Sequence, residues 1–196
     1  MIGGVVLAAG AGRRFGSAKQ LAPYQGRPLL EHALLAMSGS ALLDVRVVVL
    51  GANAGEILAA VERHGAEAVI CSDWDAGQSA SLRAGVAALA ERVEAIVITL
   101  GDQPAIDPAA IDRVIGGRDG RSVAVRATYG GRAGHPVLLE RPLFDRVARL
   151  HGDQGARSLL EGAAVGLVEC GDLGADTDID TPDQLRLSEG GSTPGS

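Results

Sequence analysis

Apolar residues along this chain fall into two alternating kinds of stretch. Short continuous runs occupy 4–8, 45–50, 68–71, 95–100 and 122–127. They lack polar alternation, the pattern of strands covered on both faces of a parallel sheet. Between them, 29–37, 54–64, 79–92 and 108–115 carry apolar residues at helical spacing, with alanine-rich interiors. Strand and helix in turn predict an α/β chain with a three-layer, doubly wound architecture. Beyond 127 the rhythm changes. Residues 129–134 read as a turn, and 135–139 as a short strand at a sheet edge, because Pro136 can donate no ladder hydrogen bond. Helices over 141–150 and 154–161 and a strand near 166–169 follow, extending a mostly parallel sheet with an antiparallel edge and forming a lobe for a second substrate. Pro182 marks another helix start. Residues 1–188 read as one domain, without repeat or linker, and 189–196 as a disordered, low-complexity tail.

Composition narrows the function classes. The 196 residues are 46% apolar but only 3% aromatic, so the core is built from Ala, Val, Leu and Ile and offers few platforms for stacked bases. A net charge of −6 opposes duplex binding, and nucleic acid is not the expected partner. Cys71 and Cys170 form no metal or redox motif. The chain shows neither a signal peptide nor an apolar run of membrane-spanning length, so a cytoplasmic protein without membrane contact is expected.

Against this acidic background the first apolar run opens into a cationic loop. Gly10, Gly12 and Gly16 alternate with Arg13, Arg14 and Lys19. Glycine lets backbone N–H groups approach a polyphosphate, and the basic side chains neutralise it. The loop is neither standard phosphate motif. Phe15 and Ser17 stand where a P-loop needs its second glycine, and Phe15 stands at the third glycine of the dinucleotide fingerprint.

The run 95–100 ends in Gly101-Asp102-Gln103-Pro104. Ligands of doubly wound sheets bind beyond the carboxyl ends of strands. Asp102 is therefore either a Mg²⁺ ligand facing the phosphate loop or a turn residue. Asp178 and Asp180 alternate about Ile179, which puts both on one face, and one of them could share a metal with Asp102. Gln78, Ser79 and Ser81 cluster at a helix start; they cap it, or they hold a base edge or sugar. His135 lies in a Gly-His-Pro turn, structural or facing a ligand. Asp153 and Arg157 lie in a polar loop that caps a helix or contacts an anion.

Taken together, Leu7-Ala-Ala-Gly-Ala-Gly-Arg-Arg-Phe-Gly-Ser-Ala-Lys19 resembles the signature loop of the MobA-like nucleotidyltransferases. Segments 101–104, 134–138, 152–157 and 178–182 look like the further motifs of the family's molybdenum cofactor cytidylyltransferase branch. The resemblance implies the Rossmann-like nucleotide-diphospho-sugar transferase fold. It implies Mg²⁺-dependent transfer of a nucleoside monophosphate from an NTP to the phosphate of a molybdopterin-type acceptor, with a molybdoenzyme as a further partner. Leu7, Ala8, Ala9 and Gly10 would meet the base and sugar; Gly12, Arg14 and Lys19 would hold the triphosphate. Asp73, Gln78, Ser79 and Ser81 would complete the nucleotide site. Arg14, Lys19 and Asp102 would be catalytic, with Asp102 and either Asp180 or Asp178 on the metal. His135, Asp153 and Arg157 would face the acceptor. Ala9, where guanylyltransferase relatives carry glycine, favours CTP. Two alternatives stand beside this: GTP or another small phosphate, such as a sugar phosphate, as substrate, and a nucleotide-binding maturation chaperone without turnover.

Overall fold

A computed structural model describes residues 1–12, 15–174 and 177–190. In chain order its elements are β1 (Ile2–Ala8), a 3-10 turn (Lys19–Leu21), the ribbon β2 (Pro23–Tyr24) and β3 (Arg27–Pro28), α1 (Leu29–Gly39), β4 (Val45–Leu50), α2 (Ala54–Ala60) and β5 (Glu67–Ile70). Then come α3 (Gln78–Leu89), β6 (Ala95–Leu100), α4 (Pro108–Gly116), β7 (Ala124–Tyr129), β8 (Arg132–Glu140), α5 (Phe144–Ala148), α6 (Ala156–Leu160), β9 (Val165–Glu169) and α7 (Pro182–Gly190). α7 reaches Gly190, so the first two residues of the expected tail are helical, and 191–196 lie outside the described residues.

Seven strands form one sheet in the order β5-β4-β1-β6-β8-β7-β9. β1 lies between β4 and β6 and runs parallel to both. Neighbouring side chains of β1 point to opposite faces, as strand geometry requires. Val6 packs into a core shared with α1 and α4, and Val5 into one shared with α3 and α5. On the α3 side the fit is close: a Cβ on Gly85 would lie 2.6 Å from a Val5 methyl carbon, so only glycine lets the helix approach this near. The layers are those the pattern predicts. Among the described residues no helix is long and apolar enough to cross a membrane.

One strand sits elsewhere than expected. β8, which carries His135 and Pro136, is not at the edge; it lies between β6 and β7 and is antiparallel to both. Proline is tolerated because pairing with β6 stops at Ile98 opposite Val137. Against β7 the register shifts between Arg126 and Thr128, so Pro136 falls at an irregularity where no ladder bond is needed. On this side of the sheet the edge strand is β9, parallel to β7, and β5 forms the other edge. The helix expected over 54–64 ends at Ala60, where Val61 turns extended and buries its side chain.

Glu169 at the end of β9 ties the β7–β8 turn down. Its carboxylate accepts from the Thr128 hydroxyl at 2.7 Å and from the N–H groups of Gly130 at 2.8 Å, Gly131 at 3.3 Å and Gly171 at 3.0 Å. These donors, Thr128 foremost, hold its pKa down to about 2 from an ordinary 4.5. A depressed carboxylate contributes stability above its unfolded pKa and loses it as pH falls through the folded one. Glu169→Gln is therefore expected to lower the melting temperature at pH 7 and to flatten its fall between about pH 4.5 and pH 2, as read by thermal melts across that range. An unchanged pH profile would remove Glu169 from this role.

Candidate active site

Two hollows adjoin at the carboxyl ends of β1 and β6. Here the strand order reverses, since β4 and β5 extend from one side of β1 and β6 returns on the other. The smaller, of about 360 Å³, is lined by Gly10, Gly12, Lys19, Asp102 and Asp180 among others. The larger, of about 870 Å³, runs from Leu7 and Gly10 across the sheet to α6, and Asp102 borders both.

Buried Gln20 shapes the glycine-rich loop. Its side-chain amide donates to the carbonyls of Ala8 at 2.8 Å and Gly10 at 2.7 Å, which holds the end of β1 against the 3-10 turn. That turn begins at Lys19, whose side chain is only 13% exposed. The Lys19 ammonium donates to Asp102 Oδ2 at 2.7 Å and to Asp180 Oδ1 at 2.9 Å. Two carboxylates thus meet one cation, 83 and 161 residues away in sequence. The second contact depends on Ile179. Its N–H donates to the Asp102 carbonyl at 3.0 Å, and its side chain is buried with Ala22, Tyr24, Leu29 and Leu185. This pins Asp180 beside β6.

Asp178 is held differently. It accepts from Gln103 Nε2 at 2.7 Å and lines neither hollow. Crowding by protein, opposed by the Gln103 bond, and the charges of Asp102 and Asp180 raise its pKa. Alternation placed both aspartates on one face; only Asp180 joins Lys19.

The same corner suits a divalent ion. Asp102 Oδ1 is buried with no hydrogen-bond partner among the described residues, although burial of a carboxylate oxygen is costly without one. Asp102 and Asp180 offer the oxygen-only donors that Mg²⁺ and Mn²⁺ prefer. Elsewhere Glu31, Glu62 and His64 also lie together. There Glu31 is already engaged by Arg27 and His64, each at 3.2 Å.

The far wall of the larger hollow is stapled to the start of α3. Ser79 N–H donates to the Gly152 carbonyl at 3.1 Å. The Arg83 guanidinium donates to the Leu150 carbonyl, to Ser79 Oγ at 3.3 Å and to Asp73 Oδ2 at 3.3 Å. His135 stands on the sheet side of this hollow. Burial, helped by the charge of Arg126, pushes its pKa down to about 4, so its imidazole is neutral at pH 7. It can hydrogen-bond a ligand but offers no positive charge.

Of the residues expected to meet the nucleotide, Leu7, Ala9, Gly10, Gln78 and Ser81 line the larger hollow. Ala8, Gly12 and Lys19 line the smaller. His135, Asp153 and Arg157 also border the larger one. Two expectations fall outside. Ser79 is fully buried, its groups spent on Gly152 and Arg83. Asp73 lines neither hollow and instead pairs with Arg83 and the Cys71 thiol. Neither caps α3, whose N-terminus carries no side-chain cap; Arg83 holds both side chains instead. Arg14, with Arg13 and Asp176, lies outside the described residues.

Sequence reasoning passed over Gln20, Trp74 and Arg126. Arg126 had a signal, since it is a cation inside an otherwise apolar strand, and it lines the larger hollow while donating to the Gly134 carbonyl at 3.0 Å. Trp74, the one tryptophan, also lines it. Nothing local marked Gln20.

The MobA-like NTP transferase domain matches residues 4–168. Over 192 residues the chain is 37% identical to nicotine blue oxidoreductase of Paenarthrobacter nicotinovorans, covering 93% of each protein. It is 31% identical over 194 residues to purine catabolism protein PucB of Bacillus subtilis, covering 94% of each. Rv0371c of Mycobacterium tuberculosis, crystallised in complex with manganese, superposes with a TM-score of 0.81 at 32% identity, over 97% of this chain and 98% of that one. The chain belongs to the MobA-like NTP transferase family and is a nucleotidyltransferase.

Proposed function

We propose that this enzyme transfers a nucleoside monophosphate, CMP in preference to GMP, from an NTP to the phosphate of a molybdopterin-type acceptor. Pyrophosphate leaves, Mg²⁺ is the cation, and a molybdoenzyme receives the product. The observation that carries the reading is Lys19 bridging Asp102 and Asp180 at the junction of the two hollows. In the reaction an acceptor phosphate oxygen forms a bond to the α-phosphorus, and the bond to the β-phosphate oxygen breaks. That oxygen keeps the electron pair.

The acceptor phosphate is already anionic near neutral pH, so no general base is required. A neutral His135 suits this, because it orients the acceptor by a hydrogen bond without taking a proton. Lys19 offsets charge on the departing pyrophosphate, and the motif assigns Arg14 the same task. A divalent ion held by Asp102 and Asp180 would neutralise and align phosphate oxygens. Positioning of the two substrates across one sheet edge supplies the rest.

The test is pyrophosphate release from CTP, GTP, ATP and UTP, each with molybdopterin, with a sugar phosphate and alone. Release with CTP and molybdopterin is expected to exceed every other pair. NTP binding without pyrophosphate from any pair would overturn the reading and leave the maturation chaperone. Ala9, buried against the larger hollow, is the position for base choice. Removing its methyl makes room for a purine, and Ala9→Gly is expected to raise GTP use relative to CTP by about tenfold, the scale of one methylene in an apolar pocket. Unchanged base preference in kcat/KM would end the claim for Ala9.

One observation favours a second reading, hydride transfer to a heterocycle: the relative at 37% identity bears an oxidoreductase name. That reading predicts oxidation of NADH or NADPH and no need for Asp102. An absorbance assay at the reduced-nicotinamide band decides it.

A further inference from the structure

We infer that Lys19 is an internal counter-ion that competes with the divalent cation, so that metal and nucleotide load together. This rests on the nucleotidyl-transfer reading of the site. The Lys19 side chain is only 13% exposed, and its ammonium is compensated by Asp102 Oδ2 at 2.7 Å and Asp180 Oδ1 at 2.9 Å. A divalent ion drawing on both carboxylates needs the same oxygens. Two cations cannot share them at such range without strong repulsion.

The displaced ammonium then needs another anion, since leaving it shielded from water and unpaired is costly. The protein offers no further carboxylate in the smaller hollow: among the described lining residues Asp102 and Asp180 are the acidic ones. A triphosphate supplies the missing charge, and Gly10 and Gly12 of the phosphate loop line the same hollow. Free metal therefore binds against Lys19, while metal arriving with a nucleotide gives Lys19 somewhere to go. By linkage, the metal must raise nucleotide affinity by the same factor. The competing arrangement is a cation on the buried, unpartnered Asp102 Oδ1 alone, which would leave Lys19 in place.

The two arrangements differ in a binding experiment that needs no turnover. Mn²⁺ is titrated into nucleotide-free protein, with free Mn²⁺ followed by electron paramagnetic resonance and binding checked by calorimetry. Lys19→Met is expected to bind Mn²⁺ about tenfold or more tighter than the wild type, within the usual range of site coupling. A non-hydrolysable CTP analogue is expected to tighten Mn²⁺ binding in the wild type and to do so far less in the variant. Adding Asp102→Asn to Lys19→Met should remove the gain. Equal Mn²⁺ affinity in wild type and Lys19→Met overturns the inference, as does a gain that survives Asp102→Asn. Lys19→Gln, which keeps a polar group between the carboxylates, serves if the methionine variant melts early. These binding results stand apart from pyrophosphate release, so failure of the competition and failure of the nucleotidyl-transfer reading are separately visible.

Discussion

Asp102→Asn is expected to lower nucleotidyl transfer by about a thousandfold or more, about 4 kcal/mol of barrier, while leaving the fold in place. Asparagine keeps the shape of the side chain but removes its charge. One Asp102 oxygen already faces a cation, Lys19 at 2.7 Å, and the other is buried without a hydrogen-bond partner among the described residues. A neutral amide cannot neutralise a metal or align phosphate oxygens through it. The fold is spared because Asp102's structural contribution is its backbone carbonyl, which accepts from Ile179 N–H at 3.0 Å and is unaltered by the substitution. Lys19 keeps Asp180 as a partner. Pyrophosphate release measured beside a thermal melt checks both halves. Near wild-type turnover with Mg²⁺ would remove Asp102 from the metal role.

Gly77→Ala is expected to cost about 2–4 kcal/mol of stability and to lower the melting temperature by roughly 5–15 °C. Gly77 precedes α3 with φ at +110°, a conformation that side chains rarely adopt. An added Cβ would lie 2.4 Å from the backbone carbon and oxygen of Gly152 and 2.9 Å from Asp153 Oδ1. A flexible side chain could give way, but this backbone can move only if the Ser79 to Gly152 hydrogen bond breaks. The loop carrying Asp153 and Arg157 is the wall of the larger hollow, so the acceptor KM should rise as well. Differential scanning calorimetry and acceptor titration are the measurements. A melting temperature within about 2 °C of the wild type would show that the loop is not held as closely as this geometry requires.

The site divides cleanly between what could and could not be read along the chain. The glycine-rich cationic loop and Asp102 were legible because each lies at the end of a continuous apolar run, and such runs are local patterns. Asp178 and Asp180 were not separable, since alternation treats them alike. Gln103 takes one and Lys19 the other, and these partners lie 75 and 161 residues away. Ser79 had two readings because a helix start offers its N–H groups to caps and ligands alike. Arg83 takes the side chains of Ser79 and Asp73 and the Gly152 carbonyl takes the Ser79 N–H, so neither residue is a side-chain cap of α3. Pro136 signalled an edge, since a missing donor argues against pairing on both sides. The register shift that absorbs it arises only in pairing with β7, where Gly134, His135 and Pro136 together face the single residue Ala127.

The sequence by itself determined the alternation of buried strands and amphipathic helices, the glycine-rich cationic loop and the carboxylate at the end of β6. These follow from neighbours within a few residues, where periodicity and glycine content act directly on the backbone. Only the tertiary structure decided that Asp180 rather than Asp178 meets Lys19, that β8 lies inside the sheet, and that residues 153–157 face the glycine-rich loop across one hollow. Each of those depends on which distant segments pack together. Burial of Ile179, the register of β7 and the close approach allowed at Gly77 set that packing, and none of them is a property of a short stretch of chain.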